Sequence, residues 1–185
     1  MIDEIMADTK TRMKKSIAAV KVELAKIRTG RATPGLLDHV VVSYYGNDVP
    51  LNQAATISVS DARTLSVQAW EKNMVPTIEK AILESQLGLN PVTAGEVVRI
   101  PIPALTEERR REMTKLVRTE GENGKVAVRN IRRDAISHAR DLVKSKDIGQ
   151  DDEKKGVEQI QSLTDQYTVE IDVLIKEKEA EIMEV

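Results

Sequence analysis

The stretch that decides the fold spans residues 105–146 and reads LTEERRREMTKLVRTEGENGKVAVRNIRRDAISHARDLVKSK. Thr106 can cap the amino terminus of a helix. Glu107 and Glu108 fall in the first turn, where the helix dipole favours acidic side chains. No proline follows before the end of the sequence. The stretch is therefore predicted to form one long helix.

This predicted helix has two different faces when its residues are placed at about 100° intervals. One face is apolar and consists of Met113, Leu116, Val117, Ala127, Val128, Ile131, Ala135 and Leu142. The other face is basic and consists of Arg111, Lys115, Arg118, Lys125, Arg129, Arg132, Arg133 and Arg140. The apolar face needs partner helices, and the basic face is left for solvent or a polyanion.

Two glycines conflict with the helical pattern. Gly121 and Gly124 each cost a helix interior roughly 1 kcal/mol relative to alanine. We expect a weakened helical turn at these residues and no domain boundary.

Two further segments can supply the partner helices. Residues 2–29 carry apolar side chains at a three-four spacing, and Gly30 is placed to end that helix. A third helix is predicted from Asp151 onward, with apolar residues at Val157, Ile160, Tyr167, Ile171, Leu174 and Ile182. The three helices can bury their apolar faces only against one another, which predicts a long antiparallel three-helix bundle.

The periodicity changes between residues 31 and 104. Residues 40–44, 57–59, 65–70 and 96–102 have the β-branched or alternating character of strands, and Gly46 with Asn47 indicates a turn. Residues 74–87 have helical spacing and are followed by Gly88. This predicts a small inserted β/α/β domain with Trp70 in its core.

The predicted fold is therefore of the α+β class, with two domains. Residues 1–30 and 105–185 form a discontinuous bundle domain, and residues 31–104 form the inserted domain. Pro101 and Pro103 stiffen the return to the long helix. Because two segments of the chain connect the domains, hinge motion between the domains is possible, but the directions of that motion are limited.

Composition narrows the functional classes. The 185 residues include 41% hydrophobic residues, 2% aromatic residues, and neither phenylalanine nor cysteine. The cores should therefore be aliphatic, and broad stacking on nucleic-acid bases is not expected. No apolar run approaches the 18 or so residues of a membrane span, and the lack of cysteine fits a reducing cytosol.

The net charge of −2 hides a strong segregation. Residues 1–30 carry +3, residues 31–104 carry −2, residues 105–146 carry +5 and residues 147–185 carry −8. Such polarity suggests an oriented contact with a polyanion. The simpler alternative is that long exposed helices carry many charges in any case.

A catalytic site has little support in the sequence. The two histidines, His39 and His138, fall in different predicted domains, and His138 is expected near the bundle seam as a structural residue. Residues 121–125 lack the spacing and the preceding strand of a phosphate-binding loop. We expect no enzymatic activity, no metal site and no cofactor.

The arginine residues provide the main evidence for a function in the sequence. Arg129, Arg132 and Arg133 occupy adjacent turns of one helix face, and arginine binds phosphate through two parallel hydrogen bonds. Without aromatic platforms, these residues favour backbone recognition of a structured nucleic acid. Arg28 and Arg31 cluster with Lys26 near the end of helix one, where favourable interaction with the helix dipole could alone explain them.

Two other classes remain open from the residues alone. A helical interaction protein could bind a basic partner through its acidic third helix, with the arginines serving solubility. An architectural DNA-binding protein could use the same basic face.

Four motifs resemble the bacterial ribosome recycling factor family. They are residues 26–32 (KIRTGRA), 87–91 (LGLNP), 103–110 (PALTEERR) and 126–135 (VAVRNIRRDA). They occur in the family's order, and the resemblance covers essentially the whole chain.

The resemblance implies an L-shaped, roughly transfer-RNA-like outline in which the bundle binds large-subunit ribosomal RNA of a post-termination 70S ribosome. Elongation factor G would then use GTP to split the ribosome into subunits and release it from mRNA. The implied RNA contacts are Arg132, Arg129, Arg133, Arg28 and Arg31, and the implied hinge residues are Gly30, Arg31, Ala104 and Leu105. The resemblance also implies a cytoplasmic monomer that binds no membrane.

Overall fold

The computed structural model describes residues 1–184, which divide into two compact units. The bundle unit comprises Met1–Thr29 and Glu107–Glu184, and the inserted unit comprises Gly30–Thr106. The helices are α1 (Ile2–Ala25), α2 (Val75–Leu83), α3 (Glu107–Lys144) and α4 (Gln150–Met183). The strands are β1 (Val41–Tyr44), β2 (Asn47–Pro50), β3 (Ala55–Asp61), β4 (Thr64–Ala69), β5 (Val92–Ala94) and β6 (Val97–Pro101).

Helices α1, α3 and α4 pack as the predicted three-helix bundle. Val20 and Leu24 of α1 share one buried cluster with Met113 of α3 and Ile182 of α4. A second buried cluster includes Met13, Ile17, Val128, Ile131, Tyr167 and Ile171. From the first cluster to the second, residue numbers fall in α1 and α4 and rise in α3. Helix α3 therefore runs antiparallel to the other two.

Helix α3 continues without a break through both glycines, so the weakened turn expected there is wrong. Gly121 and Gly124 are buried at helix contacts. A Cβ atom on Gly121 would lie 2.6 Å from Ile175 Cγ1, and one on Gly124 would overlap Val20 Cγ2. The glycines allow close approach of α1 and α4, and tertiary packing outweighs their poor helix propensity.

Helix α1 ends earlier than the predicted residue 29. The amide nitrogens of Lys26 and Ile27 donate to the carbonyls of Glu23 and Leu24, at 3.2 and 3.1 Å. These contacts close a tighter, 3-10-like final turn. The chain then leaves the helix before reaching Gly30.

The inserted unit contains two antiparallel sheets, one α-helix and three short 3-10 helices. Strands β1 and β2 form a hairpin, and the other four strands form a sheet in the order β3, β4, β6, β5. Its separate core includes Leu65, Val67, Ile78, Val98 and Ile100. The predicted α+β class is confirmed. Strands β2 and β5 were not predicted, because they are short, largely exposed and lack a run of β-favouring residues.

Three side chains lie on the surface although Trp70 was predicted in a core, Leu116 on the apolar helix face and His138 near the bundle seam. Trp70 is 59% exposed, just after the end of β4, and its Nε1 donates to Thr56 Oγ1 at 2.9 Å. Leu116 is 46% exposed because it lies at the margin of the apolar face of α3. His138 is also exposed, and the buried line of α3 runs through its neighbours Ala135 and Ala139 instead.

Within residues 1–184, no helix has the length and apolar character needed to cross a membrane.

Candidate nucleic-acid interface

The basic face of α3 borders the acidic helix α4. Arg118 Nε lies 2.8 Å from Glu179 Oε1, and Lys125 Nζ lies 2.5 Å from Asp172 Oδ1. Arg140 Nε lies 3.9 Å from Glu153 Oε1. These pairs are partly exposed, so each contributes little to stability. The segregation of charge along the sequence is thus partly explained by the packing of basic α3 against acidic α4, where some of the opposite charges form ion pairs.

Arg129, Arg132 and Arg133 have less compensation from α4. Arg129 Nη2 pairs with Glu122 Oε1 of its own helix at 2.5 Å. Arg132 Nη1 reaches only a neutral partner, Gln161 Oε1, at 3.4 Å. Arg133 is exposed and forms no ion pair or hydrogen bond in the described chain. Among the arginines of the basic face, Arg132 and Arg133 therefore have no acidic partner in the described residues, whereas Arg129 has one within α3.

The carboxylate closest to Arg133 in sequence is also occupied. Asp134 Oδ2 accepts a 2.9 Å hydrogen bond from Arg12 Nη2 of α1. Because α1 takes up this acid, Asp134 competes less with a phosphate for Arg133. The three arginines lie within two helical turns and can contact successive phosphates of a nucleic-acid backbone.

The two other predicted arginines belong to different units. Arg28 is exposed just beyond the end of α1, and Arg31 is exposed at the start of the inserted unit. Lys26, the third cation of that cluster, pairs with Glu23 Oε1 at 2.9 Å. The prediction that Arg28 and Arg31 contact ribosomal RNA stays a prediction.

The predicted hinge residues lie where regular structure stops. Gly30 has a φ of 76°, and a Cβ atom at this position would lie 3.4 Å from Leu105 Cγ. Ile102 N donates to the Arg63 carbonyl at 2.7 Å, and residues 102–106 belong to no helix or strand. Ala104 and Leu105 thus lie in a short irregular connection, beside the left-handed residue Gly30.

The groups with altered pKa values have local structural causes. Hydrogen bonding to Glu71 raises the pKa of both Tyr44 and Tyr45. The backbone amide of Arg63 lowers the pKa of the Asp61 carboxyl. His39 and His138 lie in different units. In the part of the chain that the structure describes, no cluster of three or more candidate ligands could hold a metal ion.

A row of lysines on α1 was not singled out from the sequence. Lys10, Lys14 and Lys21, here called the α1 lysine row, line a groove of about 450 Å³ between α1 and α4. Their spacing of four and seven residues places them on one helix face. The spacing of these lysines could have predicted a basic face on α1. The net charge of residues 1–30 does not reveal such a face, because it does not say which side of the helix the charges occupy.

The chain is similar to ribosome recycling factors over its whole length. A family model described as ribosome recycling factor matches residues 20–183. This chain is 58%, 57% and 56% identical over 185 residues to the ribosome-recycling factors from Nitrosospira multiformis, Azoarcus sp. strain BH72 and Legionella pneumophila strain Corby, respectively. Each match covers all of both chains.

Two solved structures are also similar. A solution structure of the ribosome recycling factor has a TM-score of 0.74 and 42% identity, and the match covers 100% of this chain and 98% of that one. The second comes from models of the T. thermophilus ribosome recycling factor and the E. coli elongation factor G bound to the E. coli post-termination complex. It has a TM-score of 0.65 and 45% identity, with both chains fully covered. The present chain belongs to the ribosome recycling factor family.

Proposed function

We propose that this protein binds the post-termination 70S ribosome and, with elongation factor G and GTP, splits it into subunits and frees it from mRNA. The observation that carries the proposal is the full-length similarity, at 45% identity, to a recycling factor placed with elongation factor G on a post-termination complex. The proposed place of action is the cytoplasm, and the proposed active form is a monomer.

The bundle is the proposed anchor on large-subunit ribosomal RNA. Arg132 and Arg133 have no acidic partner within residues 1–184, and Arg129 has one from its own helix. Phosphate offers the guanidinium groups of Arg132 and Arg133 a charged, two-oxygen acceptor that the described bundle does not supply, and it would compete with Glu122 for Arg129. Arg28 is a further proposed RNA contact of the bundle, just beyond α1, and Arg31 is a proposed RNA contact of the inserted unit.

The inserted unit is the proposed lever. Gly30, Arg31, Ala104 and Leu105 form the proposed hinge, since they lie in the inserted unit within a few residues of its two connections to the bundle. Elongation factor G would move the inserted unit while the arginines hold the bundle on the RNA. The GTP hydrolysed by the partner supplies the free energy, so the role requires neither a catalytic group nor a cofactor in this chain.

Light scattering tests the splitting reaction directly. Post-termination ribosomes are mixed with this protein, elongation factor G and GTP, and each component is omitted in turn. We expect scattering to fall only when all three are present. Stable scattering in the complete mixture, with elongation factor G from the same species, would overturn the splitting role.

A hinge variant separates binding from splitting. Insertion of two glycines between Ala104 and Leu105 loosens one connection without altering the arginines of α3. We expect the variant to bind large subunits with unchanged affinity and to lose most of the splitting. Full splitting by this variant would contradict the lever, and weakened binding would show that the connection contributes to the contact surface.

A further inference from the structure

The α1 lysine row follows one edge of a defined groove. Lys10, Lys14 and Lys21 span about 16 Å along α1 at a rise of 1.5 Å per residue. The opposite wall is formed by Gln166, Tyr167 and Glu170 of α4. The groove therefore presents a linear row of cations, which successive phosphates of a single extended strand could follow.

The three lysines are not neutralised by the fold. None forms an ion pair within residues 1–184, whereas Arg118, Lys125 and Arg140 of α3 all have acidic partners on α4. Glu170 is the one acidic side chain among the described residues lining the groove, so the lining carries two net positive charges. Lys10 and Lys14 also repel each other at a spacing of four residues. An external anion would relieve this repulsion.

Tyr167 adds a hydrogen-bond donor to the groove wall. The residue is 3% exposed, and its hydroxyl has no hydrogen-bond partner in the described chain. Burial, and then the nearby Glu170 carboxylate, raise the pKa of the phenol, which stays protonated at neutral pH. A protonated hydroxyl can donate to a phosphate oxygen, and the buried ring is not available to stack on a base.

The groove is on the other side of α4 from the basic face of α3. Asp172 pairs with Lys125 of α3, while Glu170 lines the groove beside α1. Two residues along a helix correspond to a rotation of about 200°, so these two acids point in nearly opposite directions. A ligand in the groove would therefore lie apart from one held by Arg129, Arg132 and Arg133.

We propose that the groove between α1 and α4 binds the sugar-phosphate backbone of an RNA strand, through the α1 lysine row and the Tyr167 hydroxyl. This would be a second RNA contact of the bundle, separate from the α3 arginines. This inference rests on the proposed function, because the RNA strand is taken to be ribosomal RNA of the large subunit. The lysines supply charge, and the contact carries no base specificity.

A matched pair of triple variants tests the contribution of charge. Lys10→Gln/Lys14→Gln/Lys21→Gln removes the row. Lys154→Gln/Lys155→Gln/Lys176→Gln removes the same charge from exposed positions of α4. Affinity for purified large subunits is measured over a series of salt concentrations. We expect the first variant to bind roughly tenfold more weakly, with a log-log salt slope lower by about two to three units, and the control to differ little from wild type.

The tyrosine provides a test with almost no change in charge or shape. We expect Tyr167→Phe to weaken binding about threefold and to leave thermal stability unchanged, because the hydroxyl has no internal partner to lose. Unchanged binding by this variant would show that the Tyr167 hydroxyl does not contact the RNA.

A directed probe locates the contact. The chain has no cysteine, so a tethered iron chelate attaches only at an introduced one. We expect a probe at Lys14→Cys to cleave a segment of ribosomal RNA different from that cleaved by a probe at Arg133→Cys.

The outcomes separate the inference from the function on which it rests. Equal affinities and salt slopes for the two triple variants would overturn the groove contact, as would cleavage from position 133 without any from position 14. Either result leaves the proposed function standing. Failure of the wild-type protein to bind large subunits would overturn the proposed function itself.

Discussion

The two units of this protein use glycine for opposite purposes. In the inserted unit, Gly30, Gly46, Gly88 and Gly95 all have positive φ values, between 65° and 80°. Among the described bundle residues, no glycine has a positive φ, and Gly121 and Gly124 lie in the middle of α3 against other helices. The inserted unit needs glycine to turn its backbone, whereas the bundle needs it to bring helices together.

Polar side chains differ between the units in a similar way. In the inserted unit, Glu71 accepts hydrogen bonds from Tyr44 and Tyr45, and Trp70 donates to Thr56. These bonds organise the unit's own surface. On the bundle, Arg133 and the α1 lysine row have no acidic partners within residues 1–184. The bundle therefore keeps charge available for a ligand, while the inserted unit uses these polar groups internally.

The largest expected effect concerns the space around Gly124. Gly124→Ala places a methyl group against Val20, whose branched side chain has little rotamer freedom. Overpacking costs up to about 3 kcal/mol, and the improved helix propensity returns about 1 kcal/mol. We expect a net loss of about 2 kcal/mol, measured as a fall of about 4 to 8 °C in the melting temperature of the helical circular-dichroism signal.

An exposed neighbour supplies the control. Asn123→Ala changes helix propensity without adding atoms to a helix contact, so we expect unchanged or slightly increased stability. Combining Val20→Ala with Gly124→Ala should cost less than the two separate losses added together, because the first change removes the overlap. A stabilised Gly124→Ala protein would show that the glycine does not act as a spacer.

The glycines also show where inference from sequence stops. The 100° pattern predicted α3 over residues 105–146, close to the observed Glu107–Lys144, because amphipathic spacing is a local property. The role of Gly121 depends on Ile175, which is more than fifty residues away in sequence. Helix propensity alone could indicate only that glycine destabilises the helix at residue 121.

The candidate site shows the same division. Helical spacing placed the arginines of α3 on one face, but the acidic partners of Arg118 and Lys125 lie on α4 and required the packed structure. Trp70 was placed in the core by its hydrophobicity, although it lies where the chain leaves β4. Local pattern therefore identified the surface, and tertiary contacts determined which of its charges are neutralised.

The next effect concerns the charges of α3. Arg133→Gln removes an arginine without an internal partner, and Arg118→Gln removes the same charge from a pair with Glu179. We expect the first change to weaken binding to large subunits about tenfold and to lower the log-log salt slope by about one unit. The second should cost less than about threefold, because the pairing with Glu179 already competes with phosphate. Equal losses would show that the internal pairs do not select the contact residues.

A smaller effect is expected from the backbone of the inserted unit. Gly30→Ala forces a side chain into the left-handed region, at a cost of about 1 kcal/mol. Gly35→Ala is the control, since Gly35 does not have a positive φ and its added Cβ would make ordinary contact with Asp38 Oδ2 at 3.6 Å. Unfolding of the inserted unit can be followed by the fluorescence of Trp70, the single tryptophan of the chain. Equal stability of the two variants would show that the connection relaxes around residue 30.

The smallest effect concerns the tyrosines of the inserted unit. Glu71→Gln removes the carboxylate whose hydrogen bonds raise the pKa of Tyr44 and Tyr45, so both values should fall toward the ordinary tyrosine value. Ultraviolet titration of the phenolate absorbance measures this change, with Tyr167 as an internal reference because its pKa is raised mainly by burial.

The sign of the linked stability follows from the direction of these pKa shifts. A pKa raised on folding contributes stability that is fully present below the unfolded tyrosine value and is lost as pH rises through the folded one. The wild-type protein should therefore lose stability more steeply than Glu71→Gln above about pH 10. Identical titrations of the two proteins would mean that Glu71 does not hold the two phenols in solution. The contrast between an internally bonded inserted unit and a bundle with unpaired cations would then rest on the glycines and the bundle cations alone.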